Sequence, residues 1–134
     1  MDNSLWLYGD RTMKRLLVLS ILASAAWSQG ATAAQPIALR ANTAGELAEN
    51  CGANPQAPGG DARINFCVGF AQGAVDVEMH YAGDKKPFCM PKPAPSREAT
   101  MSEFASWVRS IPERRTMPAA PALFKFLGER FPCK

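Results

Sequence analysis

The sequence predicts an all-α fold, a small disulfide-tied bundle of about four helices running up-down-up-down, with no sheet. Three observations predict it. The run Asp61–Ala82, DARINFCVGFAQGAVDVEMHYA, contains no proline and is long enough for about six helical turns. No stretch shows sustained period-two alternation of apolar and polar residues, the mark of a half-buried strand. Finally, Cys51, Cys67, Cys89 and Cys133 all lie beyond an N-terminal leader, and an even cysteine count in a small exported domain reads as two disulfides.

The leader is residues 1–33. Lys14 and Arg15 form a basic start, Leu16–Trp27 an apolar stretch, and Ala31-Thr32-Ala33 an A-x-A cleavage site that leaves Ala34 as the mature N-terminus. The apolar stretch is well short of the about 20 residues that span a bilayer, so no membrane segment remains after cleavage. Asp2 and Asp10 are out of place in such a leader, and Met13-Lys14-Arg15 is the more natural start. The mature part, residues 34–134, is one domain of about 100 residues, whose core alone gives marginal stability.

The first helix starts at Thr43, where Thr43-Ala44-Gly45-Glu46 forms a capping box, and ends by Gly52, with Leu47, Ala48 and Cys51 on its inner side. Pro55, Pro58 and Gly59-Gly60 make the following segment a loop, and Asp61 can cap the second helix. That second helix has two apolar stripes: Ile64, Cys67, Val68, Ala71, Val75 and Met79, and beside them Phe66, Phe70, Val77 and Tyr81. It should therefore be the element around which the others pack. Gly69 and Gly73, each about 1 kcal/mol poorer than alanine in a helix, predict close approach of a partner backbone. After Gly83, a connector rich in proline runs to Pro95, anchored by Cys89 between Phe88 and Met90. A third helix begins at Ser96 or at the Thr100–Glu103 capping box, carries Phe104, Trp107, Val108 and Ile111, and stops at Pro112. A fourth starts around Pro118–Pro121 and carries Leu123, Phe124, Phe126, Leu127 and Phe131.

Up-down-up-down connection places Cys51 and Cys67 at one pole and Cys89 and Cys133 at the other. Only the pairing Cys51–Cys67 with Cys89–Cys133 avoids a bridge across the whole molecule. By loop closure the two are worth about 3 and about 4 kcal/mol.

Chemistry narrows the function by exclusion. The charge balance is 15 basic against 12 acidic residues, too weak for a nucleic-acid-binding face. One histidine and no C-x-x-C pair leave little for a metal, so no metal or cofactor is expected. No serine-hydrolase, metalloprotease or phosphate-loop motif is present, and the carboxylates are scattered. A small module of this kind is more economically a binding protein than an enzyme. Its candidate partner-binding residues are the line Gln72, Asp76 and His80, which shares one helix face, and Arg114 and Arg115 in the loop Pro112–Pro118. Asp76 has the alternative role of holding the helix packing through an internal hydrogen bond, and a solvated edge or loop is the plainer reading of both groups.

From Thr43 to Cys133 the chain resembles the Rap/Tai family of periplasmic immunity proteins. The matching pieces are Thr43…Glu46-Leu47…Cys51, Cys67-Val68-Gly69-Phe70…Gly73…Asp76, Phe88-Cys89-Met90-Pro91, Trp107…Ile111-Pro112 and Phe131-Pro132-Cys133. Phe70 stands where the family often has tyrosine. The resemblance implies an all-helical exported domain, often a homodimer, that protects against a cell-wall amidase toxin of type VI secretion by occupying its substrate cleft. A homodimer needs an exposed apolar face, and the Phe66, Phe70, Val77, Tyr81 stripe serves either that or the monomer core. The competing readings are a periplasmic stress or acid chaperone, and an exported helical protein with another partner.

Overall fold

In the computed structural model, residues 36–134 are described, and Ile37–Lys134 form one compact unit. The expected leader lies outside the described residues. Four α-helices and one 3₁₀ turn follow in order: α1 (Ala44–Cys51), α2 (Gly60–Ala82), α3 (Arg97–Ser110), the 3₁₀ turn (Pro112–Thr116) and α4 (Ala119–Arg130). No strand is present among the described residues; one isolated antiparallel bridge joins Thr43 to Pro118. The fold is thus an all-α, four-helix bundle.

The short α1, rather than the long α2, is the centre. Six residues of α1 are buried, against three of α2, and α1 packs on every other helix and on the 3₁₀ turn. Small side chains make this possible. Ala44, Gly45 and Ala48 are all buried, and a Cβ on Gly45 would lie only 3.1 Å from the Arg115 carbonyl oxygen. The Thr43 capping box is formed: the Glu46 amide donates to the Thr43 hydroxyl at 3.2 Å, and the Glu46 carboxylate accepts from the Thr43 amide at 3.3 Å. Residues 42–44 then run alongside residues 117–119, with the Ala44 amide donating to the Met117 carbonyl and the Ala119 amide to that of Asn42. Asn50, buried at the other end of α1, donates to the carbonyls of Arg40 and Glu46 and accepts from Arg63. One satisfied amide therefore ties the entering chain, α1 and α2 together.

The central-helix expectation needs two corrections. Cys67 and Ala71 are buried, and Ile64, Phe70, Val75 and Met79 are half-buried, but Val77 and Tyr81 are 60% and 81% exposed. Only one face of α2 is covered. Accordingly, a Cβ on Gly69 or Gly73 would meet nothing within 4 Å, so no backbone among the described residues approaches these glycines. The close approach is instead at Gly60, the first residue of α2, where an added Cβ would fall on the Asn54 carbonyl. The N-cap of α2 is Gly59, at φ +75°, and Asp61 makes no cap.

The structure joins Cys51 to Cys67 and Cys89 to Cys133, with Cα separations of 5.1 and 4.9 Å. The first bridge fastens α1 to α2. The second fastens the connector to the chain end, where the Cys89 amide also donates to the Phe131 carbonyl at 2.8 Å. Beside it, Phe88 is 1% exposed. α3 starts at the earlier of its two expected positions. Ser96 is the N-cap, accepting from the Ala99 amide, while the Thr100 hydroxyl is spent on the Ser96 carbonyl, so the Thr100–Glu103 capping box does not form. Phe104 and Val108 are fully buried, and Phe104 meets Phe126 of α4 edge-on, with ring centroids 5.6 Å apart.

Candidate functional site

Among the described residues, no group of three or more His, Cys, Asp or Glu side chains stands together in a way that could hold a metal ion. What the fold builds instead is an apolar pocket of about 210 Å³. It opens between α2, the connector, the start of α3 and α4. Its walls are Val68, Ala71 and Val75 of α2, Phe88 and Met90 of the connector, and Leu123 and Leu127 of α4. The local sequence explains each wall. Val68, Ala71 and Val75 recur at helical spacing on α2, while the Cys89–Cys133 bridge draws Phe88 inward and leaves Met90 42% exposed at the edge.

The rim is polar. Gln72 and Asp76, one turn apart on α2, border the pocket, and Arg97 in the first turn of α3 borders it too. All three are exposed. Asp76 and Arg97 form no ion pair among the described residues, and the Asp76 carboxylate accepts no intramolecular hydrogen bond there, so the packing role considered for it has no support. His80, one turn beyond Asp76, is outside the pocket and stands edge-on to Tyr81 at 5.0 Å.

The two arginines lie elsewhere. The segment expected as a loop is a 3₁₀ turn packed on α1 and α3. The Arg114 guanidinium lies over the Trp107 ring and donates to the Trp107 carbonyl at 2.7 Å and to the Ser110 hydroxyl at 3.0 Å. Arg115 pairs with Glu49 of α1 at 2.9 Å. Both cations thus brace the turn against the bundle. Ile111, which precedes the turn, and Pro112, its first residue, are exposed, Ile111 at 41%.

The structure therefore brings Gln72 and Asp76 together with Arg97 and an apolar pocket, and does not bring them to Arg114 and Arg115. Arg97 is the residue that sequence reasoning passed over. The Phe88-Cys89-Met90 triplet marks the anchor of the connector, but no residue pattern places Arg97 beside Gln72 and Asp76.

Charge pairs on the α3–α4 face are surface features. Arg130 donates to Glu103 at 2.8 Å, and Trp107 Nε1 and Lys125 both donate to Glu129. The hydrogen bond from Arg130 holds the Glu103 carboxyl below its ordinary range. That from Lys125, followed by that from Trp107, does the same for Glu129.

A disulfide-braced helical module with an apolar pocket rimmed by exposed polar groups has the form of a protein-binding scaffold. The family model described as Rap1a immunity proteins matches residues 43–133, from the α1 cap to the last cysteine, and the chain belongs to that family. Comparison with curated proteins and with solved structures returns no match. Immunity-family membership implies a toxin effector as partner, and together with the two disulfides it indicates an exported protein.

Proposed function

We propose that the protein is a non-enzymatic periplasmic immunity protein that binds a peptidoglycan amidase delivered by type VI secretion and occludes its substrate cleft. The observation that carries this reading is the family match over the whole folded unit. In support, the pocket beside Gln72 and Asp76 offers a place for an anchoring contact. Residues 1–33 act as the export signal, leaving 34–134 as the mature domain. The Phe66, Phe70, Val77 and Tyr81 stripe, of which Val77 and Tyr81 are exposed and Phe66 and Phe70 half-buried, serves a homodimer, and the exposed Gly69 and Gly73 let the second copy come close.

The test is to mix the purified mature protein with the cell-wall amidases encoded in the same genome and to follow peptidoglycan hydrolysis. Stoichiometric inhibition of one of them, with protection of cells that express that enzyme in the periplasm, is the expected result. Failure to bind or inhibit any encoded amidase would overturn the amidase assignment. Sedimentation of the mature protein as a monomer at all concentrations would overturn the homodimer.

A further inference from the structure

The pocket between α2, the connector and α4 has a size and a rim that specify what it can take. Its volume, about 210 Å³, exceeds the roughly 150 Å³ of an apolar cavity that admits benzene, and lies below the about 300 Å³ at which ligand-binding cavities usually begin. One large aliphatic or aromatic side chain matches that volume. The walls Val68, Val75, Phe88, Leu123 and Leu127 offer such a group no hydrogen bond. At the rim, Asp76 and Arg97 present opposite charges with no ion-pair partner among the described residues, and Gln72 adds an amide that can both donate and accept. A free fatty acid could pair its carboxylate with Arg97 but would bring no cation for Asp76, whereas a polypeptide segment can carry both a base and an acid beside the inserted residue.

We propose that this pocket seats a single bulky apolar side chain of the toxin, Leu, Met or Phe in size, whose neighbours are basic on the Asp76 side and acidic on the Arg97 side. The proposal rests on the immunity reading for the identity of the partner, but not for the chemistry of the pocket. An apolar anchor in a desolvated pocket ringed by polar contacts is the arrangement that concentrates binding energy at protein interfaces, at about 2 kcal/mol or more per anchor. That corresponds to about a 30-fold change in Kd.

The experiment has two arms. In the first, the mature protein with labelled methyl groups is titrated with N-acetyl-phenylalaninamide and N-acetyl-leucinamide, which carry the side chains without a toxin. Saturable shifts confined to Val68, Val75, Leu123 and Leu127 are expected, and they should vanish in Val75→Phe and in Val68→Phe. Two filling variants are used so that misfolding of one, checked by circular dichroism, leaves the other to decide. Absence of shifts with both probes would overturn the proposal, and so would pocket shifts that depend only on protein concentration, which would mean that a second copy fills the pocket. In the second arm, affinity for the inhibited amidase is measured. Val75→Phe should weaken it by at least about 30-fold, and Arg97→Glu should slow association in a salt-dependent way. Unchanged affinity in folded Val75→Phe would overturn the proposal while leaving the immunity reading intact. Probe binding without any amidase binding would overturn that reading and leave the pocket chemistry standing.

Discussion

The Arg114 guanidinium carbon stands 3.8 Å from the centroid of the Trp107 ring, and the same guanidinium donates to the Trp107 backbone carbonyl at 2.7 Å. One side chain thus caps the end of α3 and covers its largest aromatic. Arg114→Ala should destabilise the protein by about 1–2 kcal/mol, the sum of a partly shielded cation–π contact and a charge-assisted hydrogen bond. In a domain of this size that lowers Tm by about 4–16 °C. Lysine lacks the planar fork and should rescue only part of the loss. Thermal melts followed by circular dichroism and by tryptophan emission measure both; an unchanged Tm would show that the turn holds without the arginine.

The two disulfides differ in access. Cys51 and Cys67 are 7% and 0% exposed, whereas Cys89 and Cys133 are both exposed. Thiolate attack requires access, so a mild reductant should open Cys89–Cys133 first, and Cys51–Cys67 only on unfolding. The sequence separations of 44 and 16 make the outer bridge the more stabilising by loop entropy, at about 4 against about 3 kcal/mol. Alkylation and mass spectrometry along a reductant series should therefore find modified Cys89 and Cys133 in a form of lowered Tm before any modified Cys51. Simultaneous labelling of all four cysteines would refute the order.

Much of this fold was legible from residues. Thr43 and Glu46 announced the start of α1, and cysteine placement on a helical hairpin pattern narrowed the bridges to the pair the structure contains. Periodicity was less informative on α2. It shows that Phe66, Phe70, Val77 and Tyr81 share a face with one another, but not whether the protein's own chain covers that face. Among the described residues the small side chains of α1 let it take the middle of four helices, and these cover Phe66 and Phe70 in part and leave Val77 and Tyr81 exposed. Similarly, Thr100–Glu103 and Ser96 compete as caps for the same helix. The choice falls to Ser96 because Thr100 is buried and turns its hydroxyl back onto the Ser96 carbonyl. The pocket was not legible at all, since its walls come from three separated segments and Arg97 belongs to no pattern.

Acid should loosen the α3–α4 face modestly. Glu129 is held below its ordinary value of 4.5 by hydrogen bonds from Lys125 first and Trp107 second, and Glu103 by Arg130. A carboxylate with a depressed folded pKa contributes stability that is present above the unfolded value and lost as pH falls through the folded one. The loss is therefore confined to pH below about 4.5. Because these groups are solvent-exposed, the Glu129 share should stay within about 0.5 kcal/mol after screening. Glu129→Gln should flatten the Tm–pH curve slightly in that window and leave it unchanged at pH 7 in slope. A large cooperative opening near pH 4 would contradict this, and would favour an acid-activated chaperone instead.

The glycines of α2 should respond in opposite directions. At Gly69, where an added Cβ meets nothing within 4 Å, alanine removes a helix penalty of about 1 kcal/mol, so Gly69→Ala should raise Tm at concentrations where the protein is monomeric. At Gly60 the helix starts against the Asn54 carbonyl, which accepts a hydrogen bond from the Ala57 amide, and an alanine methyl would fall on that oxygen. The Asn54–Gly59 loop must then shift, and with it the start of α2, only seven residues before the Cys67 end of the inner bridge. Gly60→Ala should therefore lower Tm despite alanine's better helix propensity. Urea unfolding of the two variants beside the wild type measures both signs. Equal stabilisation by both would show that the Asn54 loop gives way freely.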